Sequence, residues 1–403
     1  MSVGWRGRPV WAEIDLDAIA HNTRALKRLI GDKVELLAVV KANGYGHGAV
    51  MVSVIALRSG ASRLGVACVD EGIQLRRAGI SSPILVLGYI PPCEAAEVVR
   101  FELTPTVNTM QLALALSSKS AAASVTTPLH VKVDTGLTRF GLLPEEVAGF
   151  VKGLLTMPNL RLEGLWTHFA SADEPDKEFT HRQLAIYNDT LAALARSGIA
   201  VACRHAANSA ATLDIPASHL DMVRCGIGVY GMYPSNDVSR PVELRPAMTL
   251  KSKVARLRRL PPGTTVSYGR TYVTRAPTSL ALVVLGYADG VRRALSNAGH
   301  VLVKGRRANI AGRVCMDQFV VDVEGIEGVQ QDDEVVLMGR QGLEAIPAEE
   351  IAGLLGTINY EVTCGISARV PRVYLSNGKP IGADTLVSAA RPAQFDAGSA
   401  AKK

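Results

Sequence analysis

The sequence predicts an α/β protein: an N-terminal (β/α)8, TIM-like barrel followed by a C-terminal mostly β domain. Three observations carry this. From about residue 11 to 240, short β-rich runs alternate with amphipathic helical patterns eight times over. A doubly wound open sheet, the alternative architecture, would usually show a Gly-x-Gly-x-x-Gly turn after its first strand, and the run at 35–40 is followed by none. Beyond about residue 245 the texture changes to short strands with close turns.

In chain order, the expected strands of the first domain span 35–40, 63–67, 83–87, 104–107, 129–134, 162–168, 201–206 and 222–230. Helical patterns fill the intervals, among them 16–29, 69–78, 144–155 and 176–196. In the second domain, strands are expected at 248–260, 279–285, 300–306, 309–313, 318–323 and 334–338. Their turns carry Pro261-Pro262-Gly263, Asp289-Gly290 and Asn297-Ala298-Gly299. The expected limits are 11–244 for the barrel, 1–10 with 245–387 for the β domain, and 388–403 for a disordered tail rich in alanine, glycine and lysine.

A chain of 403 residues with 48% hydrophobic and 20% charged residues is globular and long enough for two cores. The net charge of +7 is spread along the chain, which suits a phosphorylated or carboxylated small molecule. It forms no dense basic stripe with interleaved aromatics, so no nucleic-acid partner is expected. The cysteines, at 68, 93, 203, 225, 315 and 364, form no C-x-x-C pair and read as reduced thiols, with neither a disulfide framework nor a metal site. Residues 1–8 lack an apolar core of a signal peptide, and no run approaches the ~18–20 apolar residues of a membrane span. A cytoplasmic protein with no membrane partner is expected.

In barrel enzymes functional groups stand at the C-terminal ends of the strands. Lys41 ends the first strand after five apolar residues, where desolvation favours a neutral, nucleophilic amine suited to a Schiff base. Arg139 lies just past the fifth strand, His168 ends the sixth, Asn208 and Ser209 follow the seventh, and Arg224 lies on the eighth, ahead of Gly226 and Ile227. Backbone N–H groups near Gly226 and Ile227, the Ser209 hydroxyl and tyrosines such as Tyr45 offer a phosphate cradle. Each residue has a plain structural reading: a snorkelling lysine, an exposed arginine, a capping serine, a tight glycine turn. Five strand ends aiming polar groups at one mouth outweigh those separate readings.

The motifs AVVKANGYGHG (38–48), KVDTGLTRFG (132–141), WTHF (166–169), HAANSA (205–210), SYGRTY (267–272), GYADG (286–290), GRVCMDQF (312–319) and 359–362 follow one another over nearly the whole chain. In this set and order the chain resembles the alanine racemases, pyridoxal-phosphate enzymes with a barrel and a C-terminal β domain. The resemblance implies interconversion of L- and D-alanine, supplying peptidoglycan synthesis. Lys41 would carry pyridoxal 5'-phosphate, and Tyr45, Asn208, Ser209, Tyr360 and the backbone at Gly226 and Ile227 would bind it. Arg224 would face the pyridine nitrogen, supported by His168. Arg139 would contact the cofactor's phenolic oxygen and the substrate carboxylate. Tyr268 and Met316 would reach the barrel mouth of the other subunit, making a homodimer with shared sites. Tyr287 and Asp317 would line the path of the substrate. Lys132 matches a lysine that some members carbamylate; pairing of Lys132 with Asp134 or another carboxylate is the structural alternative.

Racemisation needs bases on opposite faces of the stereocentre, and the resemblance assigns Lys41 to one and Tyr268, as phenolate, to the other. Three positions depart from the family pattern: Thr138 where glycine is common, Cys225 where proline is usual, and the variant stretch 363–368. Other functions remain in view. A racemase of broader range would act on serine or basic amino acids. A related decarboxylase would need a carboxylate in place of Arg224 and a cysteine acid, for which Cys315 and Cys364 are the candidates. A non-catalytic pyridoxal-phosphate homeostasis protein would lack the β domain that carries Tyr268 and Met316.

Overall fold

The computed structural model describes residues 8–387, which fall into two compact units. An α/β unit takes Ile19–Gly44 and Val52–Arg245; a β unit takes the chain up to Ala18, Tyr45–Met51 and the stretch from Pro246 onward. The expected boundary at residue 11 is therefore corrected. β1 (Val10–Asp15) alternates buried and half-buried residues and pairs with strands of the β unit. Residues 45–51 join that unit too, where the buried Arg372 donates from Nε to the Gly46 carbonyl at 2.9 Å. Residues 1–7 and the expected tail at 388–403 lie outside the described residues.

The α/β unit holds β2 (Glu35–Val39), β3 (Arg63–Val66), β4 (Ile84–Val86), β5 (Thr104–Pro105), β6 (Thr127–Lys132), β7 (Leu160–Trp166), β8 (Cys203–His205) and β9 (Met222–Cys225). They form two parallel sheets, β5-β4-β3-β2-β9 and β6-β7-β8. Val107 N–H donates to the His130 carbonyl at 2.8 Å beside β5 and β6; Arg224 N–H donates to the Ala207 carbonyl at 3.0 Å beside β9 and β8. Parallel pairing sends the C-terminal ends of these strands to one side. The strands read as apolar runs because both faces are covered: Leu36, Leu37, Ala38, Leu64, Val66, Ile84 and Val86 are buried. The expected strand 222–230 stops at Cys225, since Gly226 leaves the extended region (φ −101°, ψ −92°) and Ile227–Tyr230 form a 3-10 turn. The expected strand 162–168 likewise ends at Trp166, two residues before His168.

The β unit is built on β10 (Met248–Leu260), β11 (Thr265–Val266), β12 (Tyr272–Val273), β13 (Thr278–Val283), β14 (His300–Val303), β15 (Arg306–Ile310), β16 (Phe319–Asp322), β17 (Glu334–Gln341), β18 (Glu344–Ile346), β19 (Arg372–Ser376) and β20 (Lys379–Asp384). Its main sheet runs β18-β17-β14-β15-β16-β13-β10-β1-β19-β20. β17 also pairs with β10, so the six strands from β17 to β10 close into a ring. Closure removes the open edges that six short strands would otherwise present.

Past β6, the Asp134 carboxylate accepts from Gly136 N–H and Thr138 N–H, each at 3.0 Å, and folds the segment that leads to Arg139. Thr138 sits there at φ +54°. For a β-branched residue the left-handed region costs about 1–2 kcal/mol. Glycine would remove that strain while losing about 0.5–1 kcal/mol to backbone entropy. Thr138→Gly should therefore raise the urea midpoint of the protein, with a net gain of roughly 0.5–1 kcal/mol; a midpoint that falls contradicts the strain argument.

Candidate active site

Each unit contributes one set of groups. In the α/β unit, Lys41 stands just past β2 and opens a left-handed turn: Ala42, Asn43 and Gly44 have φ of 52°, 52° and 62°. Gly44 N–H donates to the Val40 carbonyl at 2.8 Å. The turn is held from the helix after β3 by Glu71, whose carboxylate accepts from Ala42 N–H at 2.6 Å and from Ala67 N–H at 2.7 Å. A charged acceptor on two backbone donors offsets left-handed backbone that would otherwise relax. Glu71 is a residue the sequence did not single out. Its only local mark is an acid in the first turn of the helix Val69–Arg77.

Arg224 on β9 is 3% exposed. Its NH2 group donates to the Thr167 carbonyl at 2.7 Å, the Ala206 carbonyl at 2.9 Å and His168 Nδ1 at 3.2 Å; its NH1 group donates to His205 Nδ1 at 3.0 Å. The guanidinium carbon lies 4.7 Å from the Trp166 ring centroid. Burial lowers its pKa to about 10, and no carboxylate is within ion-pair reach among the described residues. His168 is held well below the usual histidine range, first by burial and then by the charges of Arg224, Lys132, Arg139 and Lys41. It is therefore neutral, as an acceptor for Arg224 must be.

Lys132, at the end of β6, is buried, and its Nζ donates to the Phe140 carbonyl at 2.5 Å and lies 5.1 Å from the Trp166 ring centroid. Burial, and then the charge of Arg139, lowers its pKa to about 8. No ion pair joins Lys132 to Asp134, whose Oδ1 accepts from the backbone of Gly136 and Thr138, although its charge still partly offsets the lowering of the lysine pKa. Arg139 itself is exposed.

Beyond β8, Asn208 caps the helix Ser209–Asp214 by accepting from Ala211 N–H at 3.0 Å, a structural task for a side chain expected to bind cofactor. The Ser209 hydroxyl accepts from Gly226 N–H at 3.0 Å and Gly228 N–H at 3.4 Å. Gly226 N–H, expected at the phosphate, is here engaged by the serine oxygen, whose own proton is aimed elsewhere. Ile227 starts the 3-10 turn, where the first N–H groups have no partner within the turn. Cys225 donates to Thr212 Oγ1 at 3.6 Å, and burial pushes its thiol up to about 12, so it is inert packing in the proline's place.

In the β unit, the buried Tyr45 ring lies 6.0 Å from that of Tyr360. Ser267, Tyr268, Tyr287, Cys315, Met316 and Asp317 line an open cavity of about 700 Å³. Tyr268 follows Ser267, a non-glycine residue at φ +62° whose hydroxyl donates to the Arg313 carbonyl at 2.7 Å. Tyr287 and Met316 are brought side by side by backbone: Tyr287 N–H donates to the Cys315 carbonyl and Ala288 N–H to the Met316 carbonyl, each at 3.0 Å. Gly286 permits this approach, since a Cβ there would lie 2.3 Å from the Met316 carbonyl oxygen. The buried Asp289 closes the same turn, accepting from Gly286 N–H at 3.0 Å and from both terminal nitrogens of Arg8 at 2.9 Å. Asp317 pairs with Arg369 at 2.7 Å. Ser267, Asp289 and Arg8 were not foreseen, because each has a partner distant in sequence.

Among the described residues no group of three or more His, Cys, Asp or Glu side chains is placed to hold a metal ion, and no helix is long and apolar enough to cross a membrane.

Two domain families match the chain: alanine racemase, N-terminal domain, over residues 14–234, and alanine racemase, C-terminal domain, over residues 247–374. The alanine racemase of Carboxydothermus hydrogenoformans is 50% identical over 91% of this chain and 100% of its own, and that of Desulfovibrio desulfuricans is 48% identical over 91% and 98%. Among solved structures, the alanine racemase of Bacillus anthracis with bound L-Ala-P is similar with a TM-score of 0.91 and 40% identity, over 95% of this chain and 99% of that one. The Clostridium difficile alanine racemase in complex with cycloserine gives a TM-score of 0.88 and 39% identity, over 94% and 99%. Matches that span both units, at these identities and over nearly the full length of the relatives, establish that this chain belongs to the alanine racemase family.

Proposed function

We propose that this protein interconverts L- and D-alanine by a two-base mechanism, with pyridoxal 5'-phosphate held at the C-terminal ends of eight strands that make up a (β/α)8 barrel. The observation that carries this is the donor set of the α/β unit. Arg224, Lys132, Arg139 and Lys41 all act on a neutral His168, and Arg224 has only neutral acceptors. Such a set fits a ligand made of acceptors: a phosphate dianion, a phenolate and a ring nitrogen.

When bound, pyridoxal phosphate supplies an electron sink that acidifies the Cα–H bond of alanine. Lys41 holds it and exchanges the Cα proton on one face; Tyr268 of the partner subunit exchanges it on the other. That Tyr268 is 73% exposed in the single chain supports its service to a second copy, as do the exposed Met316 and Tyr287 around it. Arg224 gives the ring nitrogen a hydrogen bond but keeps its proton, which limits the charge the site stabilises and disfavours side reactions. Ser209, whose proton is aimed away from Gly226, donates to the phosphate together with Ile227 N–H, Tyr45 and Tyr360. Asn208 acts by holding the helix that carries Ser209. Arg139 clamps the alanine carboxylate, and Tyr287 with Asp317 lines the substrate's path. The product D-alanine supplies peptidoglycan in the cytoplasm. Arg224 also argues against the decarboxylase, which needs a carboxylate at that position.

Lys132 is proposed as a carbamate. Only the neutral amine reacts with CO2, and a pKa of about 8 makes that form accessible. The new carboxylate would accept from Arg139 and fix its direction.

Incubation with L-alanine in D2O should give D-alanine with deuterium at Cα, without CO2 release. Lys41→Ala and Tyr268→Phe should each lower kcat by about 10²–10⁴-fold; release of CO2, or no inversion, removes the racemase reading. Intact-mass spectrometry in bicarbonate should show one added CO2 above pH 8 and its loss as the pH falls below 8, absent in Lys132→Arg. A mass independent of pH and bicarbonate removes the carbamate.

A further inference from the structure

Behind Arg224, a file of polar side chains runs through the α/β unit. Arg224 NH1 donates to His205 Nδ1 at 3.0 Å. His205 Nε2 lies 2.8 Å from His130 Nδ1, and His130 Nε2 lies 3.3 Å from Glu163 Oε2. The other Glu163 oxygen meets Arg63 at 3.3 Å, and Arg63 Nε donates to Glu35 at 2.6 Å. Consecutive members come from β9, β8, β6, β7, β3 and β2, so the file binds strands of both parallel sheets. Both imidazoles are fully buried. Trp166 stacks on His205 with ring centroids 5.8 Å apart and planes 10° from parallel. The His130 ring occupies space left by Gly164, where a Cβ would lie 2.5 Å from its Nδ1.

The direction of every hydrogen bond follows from the two ends. A guanidinium offers only donors, so the His205 Nδ1 facing it must be bare. Burial keeps His205 neutral, so its one proton sits on Nε2 and points at His130 Nδ1. That nitrogen must be bare in turn, which puts the His130 proton on Nε2, aimed at Glu163. The file is consistent only if it ends on an acceptor. Glu163 is a full anion there, held down to about 2 by the His130 hydrogen bond and by Arg63. Were the far end a donor, the protons would reverse along the file and set an Nδ1–H of His205 against the N–H of Arg224.

We infer that Glu163 is a positioning residue for Arg224: by accepting from His130 it sets the tautomers of both imidazoles and so keeps a bare nitrogen against the guanidinium. The consequence for catalysis rests on the proposed role of Arg224; the tautomers do not. Neither His130 nor Glu163 belongs to the strand-end set, and Glu163 reaches the site only through two rings. The bare nitrogen that receives the guanidinium is thus backed by a carboxylate about three hydrogen bonds away.

The test is ¹⁵N NMR of the histidine-labelled holoenzyme, with each ring assigned by its own substitution. The expected result is a bare Nδ1 and a protonated Nε2 at both His130 and His205. Glu163→Leu should abolish this single pattern at His130 and lower kcat about 10- to 100-fold, the usual cost of losing a carboxylate behind a functional histidine, with KM for alanine unchanged. A protonated Nδ1 or an imidazolium at either ring in the unsubstituted protein overturns the inference, whether or not the variant folds. An unchanged pattern in a folded Glu163→Leu protein does the same. The expected tautomers in a protein that fails to invert alanine would instead remove the racemase reading and leave the relay standing.

Discussion

A guanidinium buried without a carboxylate governs the chemistry of the α/β unit. Removing such a charge from water is costly unless it is hydrogen-bonded. Arg224 meets that demand with two carbonyls and two imidazoles. The consequences spread outward from it. Both imidazoles must be neutral, Trp166 must lie against the charge, and β7 and β8 must be in register so that Thr167 and Ala206 present their carbonyls. Among the described residues no carboxylate pairs with this charge, as the proposed anionic ligand requires.

The second constraint is backbone placed where L-residues rarely go. Ala42 and Asn43 after Lys41, Thr138 before Arg139 and Ser267 before Tyr268 all have positive φ. Each of the three side chains proposed to act in the reaction thus adjoins a strained residue, and each site of strain has a specific contact: Glu71 on Ala42 N–H, Asp134 on Thr138 N–H, the Arg313 carbonyl on the Ser267 hydroxyl. Strain of this kind persists where surrounding contacts over-determine the conformation, and it aims a side chain more narrowly than a relaxed loop does.

Much of the architecture was legible in one dimension. Strands covered on both faces must be apolar, so the run at 36–40 announced β2, and Pro144 with Glu146 marked the helix Pro144–Leu155. The 248–260 strand was read to the residue because its buried and half-buried positions alternate. The last hairpin was missed although Asn377 and Gly378, at φ 50° and 68°, form the two-residue turn between β19 and β20 that such a pair favours. The strand Val10–Asp15 was not read from the sequence, and the barrel limit at residue 11 placed most of it in the other unit; alternation over six residues does not say which sheet will accept them.

The sequence by itself determined which chemistry is on offer: lysine, arginine, histidine and serine at the ends of successive apolar runs, and tyrosine and methionine in the later β segments. Spacing along the chain suffices for that, because parallel strands place their ends together whatever their exact lengths. Only the tertiary structure decided the state of those groups. The neutrality of His168, the lowered pKa of Lys132, the engagement of Gly226 N–H by Ser209, and the recruitment of Glu71, Asp289 and Glu163 all depend on burial and on partners far away in sequence. Desolvation and hydrogen-bond direction are properties of an environment, and a residue type carries neither until the fold supplies its neighbours.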